Sequence, residues 1–278
     1  MNKLETPICP LCGNGKFHVS LKSRDFLHSK EEFTVVRCSS CGVLYTNPRI
    51  RERDIHAYYP PEYCSFSVKP DKKSFTFKLR KLAGKIFGNA NIRLLKFLKT
   101  LGAVRVLEIG AGTGELLYLL KDNGLDVTGV ETDRACVRQI NDNGVKCVYG
   151  DLSNVQAVTG SKFFDAIILH HTFEHLYKPK QGLEQISGLL KDSGALFISL
   201  PNAGSVESNL FGRYWRGLDL PRHIVHYDKG TITRILSDAG FISVRVRPVS
   251  FPSSFAESIG LALFSGKLPV FLYYGVFY

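Results

Sequence analysis

Three glycines at alternate positions, Gly110, Gly112 and Gly114, follow a short apolar run that begins at Val104. The run predicts a buried strand, and the good helix formers after the glycines predict a helix. A strand, a glycine turn and a helix open nucleotide-binding βαβ units, because glycine accepts positive φ angles and lets a ligand lie against the backbone. Glu108, near the end of the strand, would repel a pyrophosphate and attract a cation. These residues therefore predict a cationic ligand that contains adenosine, rather than NAD.

The segment Glu108-Ile-Gly-Ala-Gly-Thr-Gly114 resembles motif I of the class I S-adenosylmethionine (SAM) methyltransferases, and the resemblance covers roughly residues 90–250. It implies that acids closing the next two strands, Glu131 and Asp151, hold the ribose hydroxyls and lie near the adenine amine. It also implies that His170 and His171, at the end of a fourth strand, line the methyl-transfer site. The SAM-binding residues implied in this way are Glu108, Gly110, Ala111, Gly112, Gly114, Glu131, Thr132, Asp151, Leu152 and His170.

Two Cys-x-x-Cys pairs, each followed by a glycine, lie near the start of the chain: Cys9 with Cys12, and Cys38 with Cys41. Each pair can present two thiolates to one tetrahedral ion, and the glycine permits the tight turn between them. The spacing predicts a zinc ribbon with a structural Zn²⁺, because four cysteine ligands leave no open coordination position. A redox role and a rubredoxin-like iron site are the alternatives. Seven cysteines are too few for a disulfide scaffold of this size.

Methyl transfer to an oxygen usually needs a general base with a pKa near neutrality, and histidine suits that role. One histidine-rich segment follows the fourth predicted strand, and another lies in an insert after the fifth. His223 in the insert is the predicted base, with His171 as the second choice. The aromatic residues and arginines of the insert are predicted to enclose the acceptor and to bind an anionic group on it. They are Phe211, Arg213, Tyr214, Trp215, Arg216 and Arg222.

His171, Glu174 and His175 also spell H-x-x-E-H, a signature that places two zinc ligands on one helix in a class of zinc proteases. His171 is predicted to follow a strand instead, so the protease interpretation is the weaker one. The segment is similar to an acid-x-x-Glu-His pattern that holds a divalent ion in some quinone-pathway O-methyltransferases. Here His171 stands in the position of the acid.

Strands and helices alternate from residue 104 to residue 250, with a sixth strand predicted at Phe241–Val249. The alternation predicts an α/β fold: a Rossmann-like, mostly parallel sheet with helices on both faces, preceded by the small zinc ribbon. Because the carboxyl ends of parallel strands share one edge, the glycine turn and the acids are expected to converge there. Four regions are predicted: the ribbon at 1–50, a linker and basic helical segment at 51–103, the SAM-binding domain at 104–250, and an apolar tail at 251–278.

The tail has three interpretations: a final strand at Val270–Tyr278, a truncated chain, or a membrane helix. Lys267 and Pro269 interrupt its apolar run, which leaves it short of the roughly 20 residues that span a bilayer. No basic and apolar leader is apparent, so the sequence predicts a cytoplasmic protein, with peripheral membrane contact as the alternative.

The chain of 278 residues carries a formal net charge of +11, and residues 72–107 contain no Asp or Glu. This segment is predicted to be a helix that packs on the sheet and exposes its lysines; the alternative is a surface for anionic lipid or a phosphate-bearing substrate. The predicted acceptor is a small molecule, such as a sugar, a glycolipid precursor or a quinone-like metabolite. RNA methylation through the ribbon and basic helix is the second hypothesis, and a non-enzymatic interaction protein is the third. The oligomeric state is not predicted.

Overall fold

The computed structural model describes residues 3–60, 90–159, 164–249 and 252–264. The strands are β1 (Leu4–Glu5), β2 (Phe17–Arg24), β3 (Glu32–Cys38), β4 (Leu44–Thr46), β5 (Arg49–Ile50), β6 (Arg105–Ile109), β7 (Asp126–Glu131), β8 (Lys146–Tyr149), β9 (Phe164–His170), β10 (Leu190–Ser199) and β11 (Val225–His226). The α-helices are α1 (Ala90–Thr100), α2 (Glu115–Asp122), α3 (Arg134–Asp142), α4 (Val155–Thr159), α5 (Pro179–Leu189), α6 (Val206–Phe211), α7 (Lys229–Asp238) and α8 (Pro252–Phe264). Short 3₁₀ helices span Glu52–Tyr58, Phe173–His175, Gly212–Tyr214 and Arg216–Leu218.

The chain divides into two compact units. Of the described residues, the ribbon unit contains 3–60, 174–180, 201–249 and 252–264, and the sheet unit contains 90–159, 164–173 and 181–200. The insert after β10 therefore belongs to the same unit as the cysteine pairs, although more than 150 residues of chain lie between them.

The sheet unit is built on five strands in the order β10-β9-β6-β7-β8, and every pair is parallel. Val106 and Ile168 belong to a core that includes buried residues of α1, α2 and α3. Their neighbours Leu107 and Ile167 are fully buried too. Since successive side chains of a strand point to opposite faces, both faces of the sheet are covered. The predicted Rossmann-like α/β fold is confirmed.

Helix α1 lies in the part of the predicted basic segment that the structure describes. Leu95 and Leu98 are buried in the core of the sheet unit, while Lys96 and Lys99 are exposed. Over these residues the prediction is confirmed: the helix packs into the core of the sheet unit and exposes its lysines to solvent. The basic residues from Lys72 to Lys85 lie outside the described residues.

The ribbon unit contains an antiparallel sheet in the order β11-β4-β3-β2. Strand β11 comes from the insert, and its Val225 lies opposite Tyr45 of β4. Phe33 and Val35 of β3 share one hydrophobic core with Trp215 and Leu218 of the insert. The ribbon and the insert are thus two segments of one folded body.

The predicted sixth strand at Phe241–Val249 is wrong, because none of these residues, all of them described, is in a strand. The alternating apolar residues suggested a strand, but Ile242 is 89% exposed and Ser243 has a φ angle of 56° that interrupts an extended backbone. After it, the tail forms α8, whose Phe255 packs edge-on against Phe211. The predicted final strand at Val270–Tyr278 lies outside the described residues. Among the helices that the structure describes, none is long and apolar enough to span a bilayer.

Candidate functional site

The glycine turn after β6 has the backbone that the sequence predicted. Gly110, Gly112 and Gly114 have φ angles of 75°, 54° and 78°, where side chains are strained. A Cβ on Gly110 would collide with the side chain of Thr172, and one on Gly114 would lie 2.8 Å from Cγ1 of Ile140. Beside Gly112, no described atom lies within 4 Å of the Cβ position. Packing therefore requires glycine at the first and third positions, whereas the second borders open space that a ligand can enter.

Glu131, the last residue of β7, reaches this turn. Its Oε2 accepts the Gly112 N–H at 2.7 Å. Its Oε1 accepts the N–H groups of Thr132 at 2.7 Å and Asp133 at 2.9 Å. Thr132 is exposed and also donates its hydroxyl to Oε1, at 3.1 Å. The carboxylate is thereby held between the glycine turn and the start of α3, where backbone donors stabilise its negative charge.

Glu108 is a buried acid beside this carboxylate. It is 3% exposed, and its Oε2 has no hydrogen-bond partner among the described residues. Burial, and next the charge of Glu131, raise the pKa of Glu108 to about 8. At neutral pH the carboxyl is therefore mostly protonated, and a cation placed beside it would favour ionisation. The two acids therefore favour the binding of a positively charged ligand and disfavour the binding of a phosphate.

Asp151 follows β8 at the same edge of the sheet, because β7 and β8 are parallel neighbours. The Gly150 N–H donates to the Glu131 carbonyl oxygen at 3.0 Å, which aligns the two strand ends. Asp151 is exposed, and its Oδ1 accepts the N–H of Ser153 at 2.7 Å. Leu152 is buried beside it, at 6% exposure. An acid and an apolar surface are thus both present where the resemblance implies the adenine.

The end of β9 supplies the two histidines predicted at the methyl-transfer site. The rings of His170 and His171 stack with their centroids 5.0 Å apart. His171 is exposed and has a φ angle of 52°, which is uncommon for a residue other than glycine. Its N–H donates to the carbonyl oxygen of Ser199, at the end of β10, at 2.9 Å. A strained conformation at the carboxyl edge of the sheet is typical of a functional position.

The H-x-x-E-H segment does not have the geometry of a zinc protease. His171 follows β9 in a left-handed conformation, and Phe173–His175 is a 3₁₀ helix. The structure describes this segment throughout, and a continuous helix carrying both histidines is absent from it. The signature therefore arises by coincidence of sequence rather than from the fold that it normally marks.

His223, the predicted base, lies in the ribbon unit and is buried. Its Nδ1 donates to the carbonyl oxygen of Gly217 at 2.8 Å, so its Nε2 carries the lone pair. Burial, and next the charge of His175, lower the pKa of His223 to about 4. The imidazole is therefore neutral at physiological pH and is a weak base, because general-base catalysis favours a pKa near the working pH.

The anion-binding prediction is wrong for two arginines of the insert, because internal carboxylates bind them. Arg222 is 1% exposed and makes 2.9 Å ion pairs with Asp25 and Asp219. Arg216 pairs with Asp219 at 2.9 Å and with Glu257 at 2.7 Å. Burial alone would raise the pKa of Asp219, but Arg222 and Arg216 hold it well below its ordinary value. This network stabilises the insert instead of presenting cations to an acceptor.

The aromatic residues of the insert also pack internally. Trp215 is 4% exposed and lies in the core shared with β3. Tyr214 packs on Phe26, with ring centroids 5.8 Å apart. The predicted acceptor wall is therefore wrong for Trp215, whose ring is part of the core of the ribbon unit.

Asp25 is the structural residue that sequence reasoning missed. Its carboxylate accepts the N–H groups of Leu27, His28 and Ser29 and also binds Arg222. Its side chain is fully buried. Because the arginine lies 197 residues away in the chain, no local pattern could have indicated the pair.

The four cysteines of the two knuckles come together in the ribbon unit, with their sulfur atoms all within 4.8 Å of one another. Cys9 Sγ lies 3.5 Å from Cys41 Sγ, and Cys12 Sγ lies 3.5 Å from Cys38 Sγ. Sulfur atoms about 2.3 Å from a tetrahedral ion would be roughly 3.8 Å apart, so the arrangement fits such an ion. The glycine after each second cysteine has a positive φ angle, as the predicted knuckle requires.

The sequence profile of the methyltransferase domain family matches residues 72–246, which is more than half of the chain. An uncharacterized methyltransferase of Staphylococcus carnosus (strain TM300) is 30% identical over 115 residues, covering 38% of this chain and 51% of that protein. Another, from Alkaliphilus oremlandii (strain OhILAs), is 31% identical over 97 residues, covering 34% and 44%. The chain spans about half the length of the curated relatives it matches.

A crystal structure of a protein from Galdieria sulphuraria, named provisionally as a sarcosine dimethylglycine methyltransferase, has a fold similar to that of this chain. Its TM-score is 0.50 at 15% identity, covering 67% of this chain and 78% of that one. At this identity the likeness is one of fold alone. The family profile and the site geometry agree, and the chain belongs to the methyltransferase domain family.

Proposed function

We propose that this protein is a SAM-dependent methyltransferase that acts on a small-molecule acceptor. The observation that carries the proposal is the hydrogen bond from the Gly112 N–H to Glu131, which joins the glycine turn to the acid of the next strand. In a SAM site the glycine turn lies against the ligand and the second acid holds the ribose. Membership in the methyltransferase domain family supports the same function.

The residues of the sheet unit have distinct roles in this proposal. Buried Glu108 faces the cationic part of SAM, Glu131 binds the ribose hydroxyls, and Asp151 lies near the adenine amine. SAM supplies the methyl group, which passes from its sulfonium to the acceptor by in-line displacement. The protein contributes mainly by aligning the two reactants, which accounts for much of the rate in such reactions.

For proton removal from the acceptor, we propose His171 ahead of His223, the reverse of the order favoured by the sequence. His171 lies at the carboxyl edge of the sheet, on the same edge as the glycine turn, and is exposed. His223 has a pKa near 4, which makes it a poor proton acceptor at neutral pH. His171→Asn is expected to lower turnover by about a hundredfold or more while SAM affinity stays the same.

We further propose that the four cysteines bind a structural Zn²⁺. The separation of the sulfur atoms supports a tetrahedral ion, and four protein ligands leave no position for a substrate. Because the four ligands converge only in the folded state, the free energy of binding the ion adds to the stability of the ribbon unit. Elemental analysis of the purified chain, with Cys9→Ser as the comparison, tests this assignment.

The main test is calorimetric titration of SAM into the wild-type protein and into Glu131→Ala. We expect at least about a tenfold loss of affinity, because the variant removes the group placed to bind two ribose hydroxyls. Asp142→Ala, which removes an exposed acid at the end of α3, should bind SAM as the wild type does. A wild-type protein that fails to bind SAM would refute the function, and equal affinity for Glu131→Ala would refute the ribose assignment.

The acceptor class is tested by release of S-adenosylhomocysteine in the presence of candidate small molecules. Sugar nucleotides, glycolipid precursors and quinol-like phenols are the classes to compare. Turnover with one class, lost in His171→Asn, would identify the acceptor and support the base together. Turnover that is unchanged in His171→Asn would exclude that histidine as the base.

A further inference from the structure

A second group of potential metal ligands lies in the ribbon unit, apart from the cysteines. Glu174 and His175 belong to the 3₁₀ helix Phe173–His175, and His223 comes from the insert. Each offers one ligand atom, and these three atoms lie within 4.8 Å of one another. Glu174 Oε1 and His223 Nε2 are 3.9 Å apart, too far for a hydrogen bond but close enough to bind one ion from two sides.

The hydrogen bonds of the two imidazoles leave Nε2 of each ring available for coordination. His175 Nδ1 lies 2.9 Å from the carbonyl oxygen of Arg222, and His223 Nδ1 lies 2.8 Å from that of Gly217. A carbonyl oxygen only accepts, so each Nδ1 carries the proton and each Nε2 carries a lone pair. Histidines that bind metals in proteins commonly donate their other nitrogen to a backbone carbonyl in this way.

The group is buried and held in place by the backbone. Glu174 is 1% exposed and His223 is 7% exposed, and the Ile224 N–H donates to the Glu174 carbonyl oxygen at 2.9 Å. The rings of His175 and His223 meet edge to face, with their centroids 4.8 Å apart. Little reorganisation is needed for the three side chains to converge on one point.

His226 is a second and independent sign of a polar ligand near this group. It is 4% exposed, and its Nε2 has no hydrogen-bond partner among the described residues. Buried polar atoms nearly always have a hydrogen-bond partner, because burying an imidazole nitrogen without one costs free energy. A hydrated ion held by the neighbouring ligands would provide a donor for it.

We propose that Glu174, His175 and His223 bind one divalent transition-metal ion, at a site distinct from the four cysteines. Two imidazole nitrogens and one carboxylate form a ligand set that suits Zn²⁺ or Fe²⁺ and is less suited to Mg²⁺ or Ca²⁺, which prefer oxygen. Three protein ligands leave at least one coordination position open, unlike the cysteine site. Water, or an oxygen atom of a bound small molecule, can take that position. The binding of the ion does not rest on the proposed function.

The test counts metal ions on the full chain by native mass spectrometry during titration with Zn²⁺. We expect two ions per wild-type chain and one in Glu174→Gln or His223→Gln, with zinc affinity for the second site at least about tenfold weaker. His56→Gln removes an exposed histidine and should retain two ions. A wild-type chain that takes up one ion at saturating Zn²⁺ would overturn the proposal, as would a second ion that both ligand variants bind with the affinity of the wild type.

Cobalt titration of the wild-type protein makes the test independent of whether the variants fold. Four thiolates give Co²⁺ an intense charge-transfer absorption, which a site with two imidazoles and one carboxylate lacks. We expect a first equivalent with this absorption and a second with weak visible bands alone. Absence of a second equivalent contradicts the proposal. In the variants, an intact thiolate absorption shows that the ribbon unit is folded.

Discussion

Replacing Glu108 with glutamine tests whether the buried acid beside the glycine turn is a seat for a cation. The pKa of this carboxyl is about 8 in the folded protein, compared with 4.5 for an ordinary glutamate. Because the folded state holds the proton more tightly, the contribution of this carboxyl to stability is greatest below pH 4.5 and falls as the pH rises towards 8. The loss between pH 4.5 and pH 7 is about 3 kcal/mol, from 1.36 kcal/mol per pH unit. Glu108→Gln has no carboxyl to titrate and avoids this loss. The difference in unfolding free energy between the variant and the wild type, both without ligand, should therefore shift in favour of the variant by about 3 kcal/mol from pH 4.5 to pH 7.

The same carboxyl should make SAM binding depend on pH in the wild type. A cation beside Glu108 restores ionisation, so binding releases a proton wherever the free protein holds one. If the pKa returns to its ordinary value in the complex, affinity rises about twentyfold from pH 6 to pH 7.5. Glu131 and Cys147 are the titratable neighbours of Glu108, and both remain in the variant.

Chemical denaturation at several pH values and calorimetry with SAM measure the two effects. Asp122→Asn, an exposed acid on α2, should follow the wild type in both assays. The reasoning fails if the stability difference between Glu108→Gln and the wild type does not change with pH. It also fails if Glu108→Gln retains the wild-type rise in SAM affinity between pH 6 and pH 7.5.

Three further predictions concern the packing of the molecule. Asp25→Asn should destabilise the protein by about 3 kcal/mol in chemical denaturation, because it removes a charge that Arg222 needs in a fully buried position; Asp238→Asn, an exposed acid, should change stability by less than about 0.5 kcal/mol. Gly110→Ala should abolish detectable SAM binding and lower the melting temperature, because the φ angle of 75° and the collision with a threonine side chain both oppose a Cβ. Cys9→Ser should lower the melting temperature and reduce the rise in melting temperature that added Zn²⁺ produces, whereas a rise equal to that of the wild type would show that the cysteines do not bind the ion.

Local spacing was enough to predict the backbone of the candidate site. The glycine turn, the acids at strand ends and the cysteine knuckles each depend on residues within a few positions of one another, where backbone geometry dictates residue type. The five parallel strands followed from alternating strand and helix patterns. By contrast, the prediction for Phe241–Val249 relied on apolar alternation alone, which cannot show whether a neighbouring strand is available to pair.

The partners of the insert could not be predicted, because they depend on pairing between distant parts of the chain. Arg222 has the charge and shape to bind an anionic acceptor, and nothing in its sequence neighbourhood indicates a buried Asp25. Trp215 likewise has the size of a pocket wall, yet it serves as core. Residue type indicates what a side chain can bind, whereas tertiary packing decides which of several suitable partners it meets.

The shared core and shared sheet of the ribbon unit connect the cysteine site to the insert energetically. Strand β11 pairs with β4, and Arg222 of the insert is bound by Asp25, which follows β2. An ion bound by the knuckles stabilises β3, whose last residue is Cys38, and therefore also the sheet that β11 completes. Val225 and His226 form β11, and His223 lies two residues before it. Loss of the ion is therefore expected to loosen the segment that carries these histidines. The ribbon is thus best understood as the scaffold of the insert rather than as a separate appendage.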